Sequence, residues 1–246
     1  TLILEDGSVY YGKHFGGFGE KIGELVFNTS MTGYQEILTD PSYANQIIIM
    51  TYPEIGNYGI NDEDFESIAP KCLGFVVKNN CEKESHYKSV KTLSNYLEEN
   101  EIIGIEGLDT RSLVIKIREK GVMKCMITSS EIKDEQELTE KIGKICTHKM
   151  NKNVVSEVST KEKYTKGNGN IDLALIDYGT KSGIVNSLVE RGCMVTVYPS
   201  EVTADTILNS NHTSVFLSNG PGDPMDCTNE LETIKELVGK IPLFGI

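Results

Sequence analysis

Six cysteines and four histidines are the residue types from which a nucleophile–base pair or a metal site is built, and their spacing supplies neither. Cys72, Cys81, Cys125, Cys146, Cys193 and Cys227 include no C-x-x-C pair, and His14, His86, His148 and His212 are scattered along the chain. No Cys–His–acid triad can be assembled from them. Cys227 follows Pro224-Met225-Asp226 and opens a helical pattern, a position where a thiol's pKa is lowered. It lacks a G-x-C-x-G elbow, so it reads as structural. Gly179-Thr180-Lys181-Ser182 imitates a phosphate loop, but a Walker A motif needs glycine directly before the lysine and another five residues earlier. ATP binding there is rejected, and no G-x-G-x-x-G marks a dinucleotide site.

Two polar stretches remain. Ser218-Asn219-Gly220-Pro221-Gly222-Asp223-Pro224 directly follows an apolar run. Two glycines let a ligand approach the backbone and two prolines stiffen it, so its N–H groups can form part of an oxyanion hole. A plain chain reversal explains the same composition. Phe27–Glu36 and Thr39–Tyr43 are dense in donors and acceptors. They can present to a ligand, or they can hold a long connection together through Asx and Ser/Thr turns, the default for Ser42 after Asp40-Pro41.

The elements that must position these residues fall into two sets. Leu2–Glu5 and Val9–Tyr11 flank Asp6-Gly7-Ser8 as a hairpin, and Gly16–Gly23 suits hairpin turns. Leu25–Phe27, Gln46–Thr51 and Cys72–Val77 are expected strands. Helices are expected over Ser85–Glu99, over Asp109–Lys120 with Asp109 as cap and Gly121 as stop, and over 131–147. Residues 1–150 are therefore read as a mixed α+β domain. Residues 151–170 are polar, slightly basic and end in Gly167-Asn168-Gly169-Asn170, the pattern of a linker.

Residues 171–246 alternate cleanly. Ile171–Ile176, Met194–Tyr198, Ser214–Leu217 and Pro242–Ile246 are apolar runs suited to strands covered on both faces. Lys181–Arg191, Thr203–Leu208 and Thr228–Val238 are helical between them. The pattern predicts a parallel, doubly wound sheet. Because the sequence stops within its last apolar strand, the domain is expected to be incomplete.

Composition bounds the function. Hydrophobic residues make up 39% and charged residues 24% of 246, which suits a folded domain rather than a disordered chain. The net charge of −12 gives no basic field for nucleic acid. No run approaches the roughly 18 apolar residues of a membrane span, and no secretory leader is visible. The cysteines read as reduced thiols in a cytoplasmic protein.

The strings Asn28–Tyr43 (NTSMTGYQEILTDPSY), Tyr52–Asn57 (YPEIGN), Leu108–Arg111 (LDTR) and Leu217–Pro224 (LSNGPGDP) together resemble the small, glutamine-hydrolysing subunit of carbamoyl phosphate synthetase, in the family's order. The resemblance implies an N-terminal domain peculiar to that subunit, over 1–150, followed after 151–170 by the first half of a class I glutamine amidotransferase domain over 171–246. It implies glutamine as substrate, contacted by Ser42, Gly220 and Gly222, with Gly220 the better oxyanion donor. A Cys nucleophile, a His and a Glu would do the chemistry. Ammonia would pass to a large partner subunit, where the ATP and metal belong; this subunit itself needs no cofactor. The family's nucleophilic Cys directly follows the string that ends here at Ile246, so the 246 residues are expected to be inactive alone. The family's usual Asn is Gly183 here, a milder departure. Another class I amidotransferase, such as that of anthranilate synthesis, would lack residues 1–150, and a non-catalytic interaction subunit would lack the Cys, His and Glu.

Overall fold

The computed structural model describes all 246 residues. The chain divides into two compact units, Thr1–Thr39 with Asn45–Met150, and Asp40–Ala44 with Asn151–Ile246.

The first unit contains strands β1 (Leu2–Leu4), β2 (Val9–Tyr10), β3 (Lys13–Gly16), β4 (Glu20–Asn28), β5 (Gln46–Met50), β6 (Glu54–Ile55), β7 (Gly74–Val76), β8 (Asn79–Asn80), β9 (Ile103–Glu106) and β10 (Met123–Thr128). Its helices are α1 (Tyr34–Thr39), α2 (Leu93–Glu99), α3 (Thr110–Lys120) and α4 (Glu135–Thr147). Eight strands form a mixed sheet in the order β2-β1-β10-β4-β5-β7-β9-β3, parallel from β4 through β9. The two-residue side-chain period assigns its faces. Leu2 and Leu4 join a core with Leu113 and Ile117 of α3, while Ile3 joins Ile145 of α4. Ile47–Met50 lose all solvent exposure, as expected of a central strand covered on both sides.

Local chemistry sets the element ends. In the first hairpin Gly7 adopts φ 84° and donates to Leu4 O at 3.0 Å, a conformation that costs glycine nothing sterically. Asp109 caps α3 by accepting from Ser112 N at 3.0 Å, and Gly121 ends it at φ 84°. The helix expected from Ser85 begins only at Leu93, capped by Thr92. The backbone before it is engaged elsewhere: Val90 N donates to Ile60 O and Ile60 N to Lys91 O, at 2.8 and 2.9 Å. Those bonds cannot coexist with an intrahelical ladder.

Much of the polar string before Ser42 is structural. The Tyr58 hydroxyl accepts from Gly33 N and Tyr34 N, at 2.7 and 2.9 Å, and so caps α1. Buried Gln35 exchanges two hydrogen bonds with the Asn61 backbone, at 2.6 and 2.9 Å. For these residues the donors and acceptors are taken up by tertiary hydrogen bonds to Tyr58 and Asn61, not by the local Asx and Ser/Thr turns expected of them.

The second unit contains α5 (Val154–Val158), β11 (Tyr164–Lys166), β12 (Ile171–Asp177), α6 (Ser182–Glu190), β13 (Cys193–Pro199), α7 (Ala204–Leu208), β14 (Ser214–Leu217), α8 (Thr228–Leu237) and β15 (Leu243–Gly245). The sheet order is β11-β13-β12-β14-β15, parallel except for β11. Leu173 and Leu175 pack with Val185 of α6, whereas Ala174 and Ile176 pack with Ile207 of α7 and Leu237 of α8. The helices thus cover opposite faces, and the winding reverses between β12 and β14. That reversal creates a crevice at the carboxyl ends of these two strands.

The stretch expected as a linker, 151–170, is ordered into α5 and β11. Val154 and Val155 are buried, and Tyr164–Lys166 pair with Val195–Val197. The strand is exposed along its whole length, so it is held by ladder hydrogen bonds at a sheet edge and leaves no apolar pattern to read. The short segment 40–44 also belongs to this unit, although it lies within residues 1–150. No helix is long and apolar enough to cross a membrane.

Candidate functional site

Two turns meet at the strand-order reversal. After β12, the buried Asp177 carboxylate accepts from Gly179 N (2.9 Å) and Thr180 N (2.7 Å) through Oδ1, and from Thr160 N (2.7 Å) through Oδ2. Three N–H donors on one carboxylate are strong, charge-assisted bonds, and they fix the Tyr178–Thr180 turn. After β14, buried Ser218 accepts from Tyr178 N at 2.9 Å and donates to Asn219 O at 2.8 Å, tying the second turn to the first.

Glycine is required in the second turn for two different reasons. A Cβ on Gly220 would stand 2.3 Å from the Tyr178 carbonyl oxygen, so only glycine allows the two backbones to approach so closely. A Cβ on Gly222 would meet only Val154, at an ordinary contact distance of 3.8 Å, but the residue sits at φ 81°, where L side chains are strained. Asp223 then accepts from Met225 N at 2.9 Å and caps the short turn Pro224–Asp226 before α8. The N–H groups of Gly220 and Gly222 make no hydrogen bond within the chain. Two free amides on a stiff loop are the donor arrangement that suits a developing oxyanion.

Ser42 lies in this same unit. Asn219 Nδ2 donates to Ser42 Oγ at 2.6 Å. Asp40 Oδ1 accepts from Ser42 N at 2.9 Å, and Lys181 Nζ lies 3.6 Å from Asp40 Oδ2. Of the three expected site residues, Ser42 is thereby linked to the residue preceding Gly220, and Gly222 lies two residues further along the same loop. Ile246 N donates to Leu217 O at 3.3 Å, so the end of β15 is beside the start of the loop.

A cavity of about 220 Å³ lies against the loop, lined by Tyr178, Leu217, Gly220, Gly222, Cys227 and Glu230 among others. The Tyr178 hydroxyl is buried there without a partner, and burial, then Glu230 and Cys227, push its pKa up. Cys227 departs from expectation. Its thiol is pushed up, first by burial and then by Glu230, Asp226 and Asp223. All six cysteines are free thiols. His212 is occupied by Asp172 and Tyr198, at 2.7 and 2.9 Å. No cluster of three or more His, Cys, Asp or Glu is placed to hold a metal.

The sequence pattern marks the Ser218–Pro224 loop as a whole but gives Ser218 and Asn219 no role of their own, and it gives none to Asp177. Asp177 and Ser218 were findable, because each stands at the carboxyl end of a strand flanking the reversal. The Asn219–Ser42 bond joins residues 177 positions apart and left no local signal.

Comparison with known proteins accounts for both units. The family model described as carbamoyl-phosphate synthase small chain, CPSase domain, matches residues 2–127. The model for class-I glutamine amidotransferase matches residues 174–246. The carbamoyl phosphate synthase small chains of Clostridium perfringens and Bacillus caldolyticus are each 47% identical over all of this chain, which covers 69% and 66% of their lengths. A pyrimidine-specific small chain of Bacillus subtilis is 44% identical, with 66% of its length covered. Among solved structures, an aminopeptidase from Aneurinibacillus sp. strain AM-1 aligns at a TM-score of 0.32 and 11% identity, over 89% of this chain and 56% of that one. The chain spans about two thirds of the length of these curated relatives, and by that matched identity it belongs to the carbamoyl phosphate synthase small chain family, with a small-chain domain followed by a class-I glutamine amidotransferase domain.

Proposed function

We propose that the chain grips L-glutamine for hydrolysis to glutamate and ammonia, and that the ammonia is delivered to a large synthetase subunit that makes carbamoyl phosphate for pyrimidine and arginine synthesis in the cytoplasm. The observation that supports this best is the loop after β14, whose Gly220 and Gly222 amides are free and whose Asn219 holds Ser42. In this reading Ser42, Gly220 and Gly222 contact the substrate, and Gly220 N–H donates to the oxygen of the attacked carboxamide. A Cys thiolate adds to the carboxamide carbon, the C–N bond breaks as a His gives the leaving ammonia its proton, and water cleaves the thioester. The ATP and metal needed for synthesis belong to the large partner.

In this reading the nucleophile is none of the six thiols present. Cys72 and Cys125 are buried with raised pKa values, Cys193 is buried, and no histidine is hydrogen-bonded to any of the six. The 246-residue chain alone is therefore proposed to be inactive as a glutaminase. The test measures glutamate release by this chain and by the full-length subunit joined to its large partner, with and without Ser42→Ala. The chain alone should release none, and Ser42→Ala should raise the KM for glutamine about tenfold or more, the loss of one hydrogen bond to a charged substrate group. Hydrolysis by the isolated chain, or an unchanged KM, would refute the reading.

A further inference from the structure

Asn219 stands between the two parts of the proposed glutamine site, and its hydrogen bonding is one-sided. Nδ2 donates to Ser42 Oγ at 2.6 Å, while Oδ1 is buried without a partner. Turning the amide over would leave the N–H₂ group as the buried orphan instead. Orphaned donors are rarer in folded proteins than under-satisfied carbonyl oxygens, so the observed orientation is the favoured one. Its consequence falls on Ser42. A hydroxyl offers one proton and two lone pairs, and here one lone pair is taken by Asn219. The Ser42 hydroxyl donates to no group in the chain, and its backbone is pinned by Asp40.

We propose that Asn219 is a positioning residue that fixes Ser42 as a hydrogen-bond donor, with its proton directed to an acceptor oxygen of bound glutamine. This rests on the reading of Ser42 as a substrate contact. Asn219 touches no reacting atom itself. It acts by occupying the serine's lone pair and by holding the 40–44 segment at the glycine loop, so its effect on glutamine passes through Ser42.

That indirectness is testable by a double-mutant cycle in the full-length subunit joined to its large partner. Glutamine-dependent and ammonia-dependent synthesis are measured for Ser42→Ala, Asn219→Ala and the double variant. Asn219→Ala should raise the KM for glutamine about fivefold to tenfold with kcat changed less than twofold, the scale of one positioned hydrogen bond. The double variant should match Ser42→Ala alone, and ammonia-dependent synthesis should be unchanged throughout. Asn219→Asp, close to isosteric but only an acceptor, should raise KM at least as much, because it draws the Ser42 proton to itself. This last variant decides the matter if the alanine variant fails to fold. An unchanged KM in either Asn219 variant, or multiplicative effects in the double variant, would overturn the proposal. An unchanged KM in Ser42→Ala would instead overturn the underlying assignment of Ser42.

Discussion

Replacing Gly220 by alanine should disable glutamine hydrolysis far more than it disturbs folding. The added Cβ would meet Tyr178 O at 2.3 Å, its carbonyl carbon at 3.0 Å and its Cβ at 3.1 Å. Tyr178 cannot retreat easily, because its N–H is bonded to Ser218 and the following turn hangs on Asp177. The loop must move instead. Overpacking of this kind costs about 1–3 kcal/mol of stability. The functional loss is larger, because losing a positioned oxyanion donor typically lowers kcat by about 10²–10³. Gly222→Ala gives the control, since its added Cβ would make only an ordinary contact, with Val154 at 3.8 Å. Its cost is the left-handed backbone, about 1–2 kcal/mol, without a clash to drive the loop away. The assay is glutamate release by the full-length subunit with its partner, with ammonia-supported synthesis reporting assembly. Gly220→Ala should lose at least a hundredfold in kcat and Gly222→Ala about tenfold or less. A Gly220→Ala enzyme within threefold of the parent, or the reverse order, would refute the reasoning.

Two further outcomes concern stability. Tyr178→Phe removes a buried hydroxyl that has no partner, so the melting temperature should hold or rise, by up to about 1 kcal/mol of stability; a fall of several degrees would show that the hydroxyl is bonded. Burial pushes the Cys72 thiol up to about 12 from its ordinary value near 9. Its contribution to stability is then complete below pH 9 and is lost as pH rises from 9 towards 12, at up to about 1.4 kcal/mol per pH unit. Urea unfolding at pH 8 and 10 should show a smaller loss for Cys72→Val than for the parent, and equal losses would contradict the assignment.

How far the sequence reveals this molecule depends on the range of the interactions. The β12 run and the Asp109–Gly121 helix signals are local and survive folding with little change, because burial and capping act within a few residues. The start of α2 is not local. It depends on the hydrogen bond from Val90 N to Ile60 O and the one from Ile60 N to Lys91 O, about thirty residues away. The ordered β11 has the same origin, as its stability comes from an edge ladder that adds no apolar period. At the site, the glycine loop is readable by composition, but two of its features are not. The burial that raises the Cys227 thiol comes from the fold, although its carboxylate neighbours Asp223, Asp226 and Glu230 are close in sequence, and the Asn219–Ser42 bond joins distant segments.

The membership of residues 40–44 in the second unit has a consequence for modular inheritance. A gene segment cut at residue 151 would encode the parallel sheet and its glycine loop, yet leave Asn219 without its serine. Such a cassette would keep the glycine loop but lose the Ser42 side of its hydrogen bond, so in this chain the five-residue piece and the parallel sheet form one folding unit.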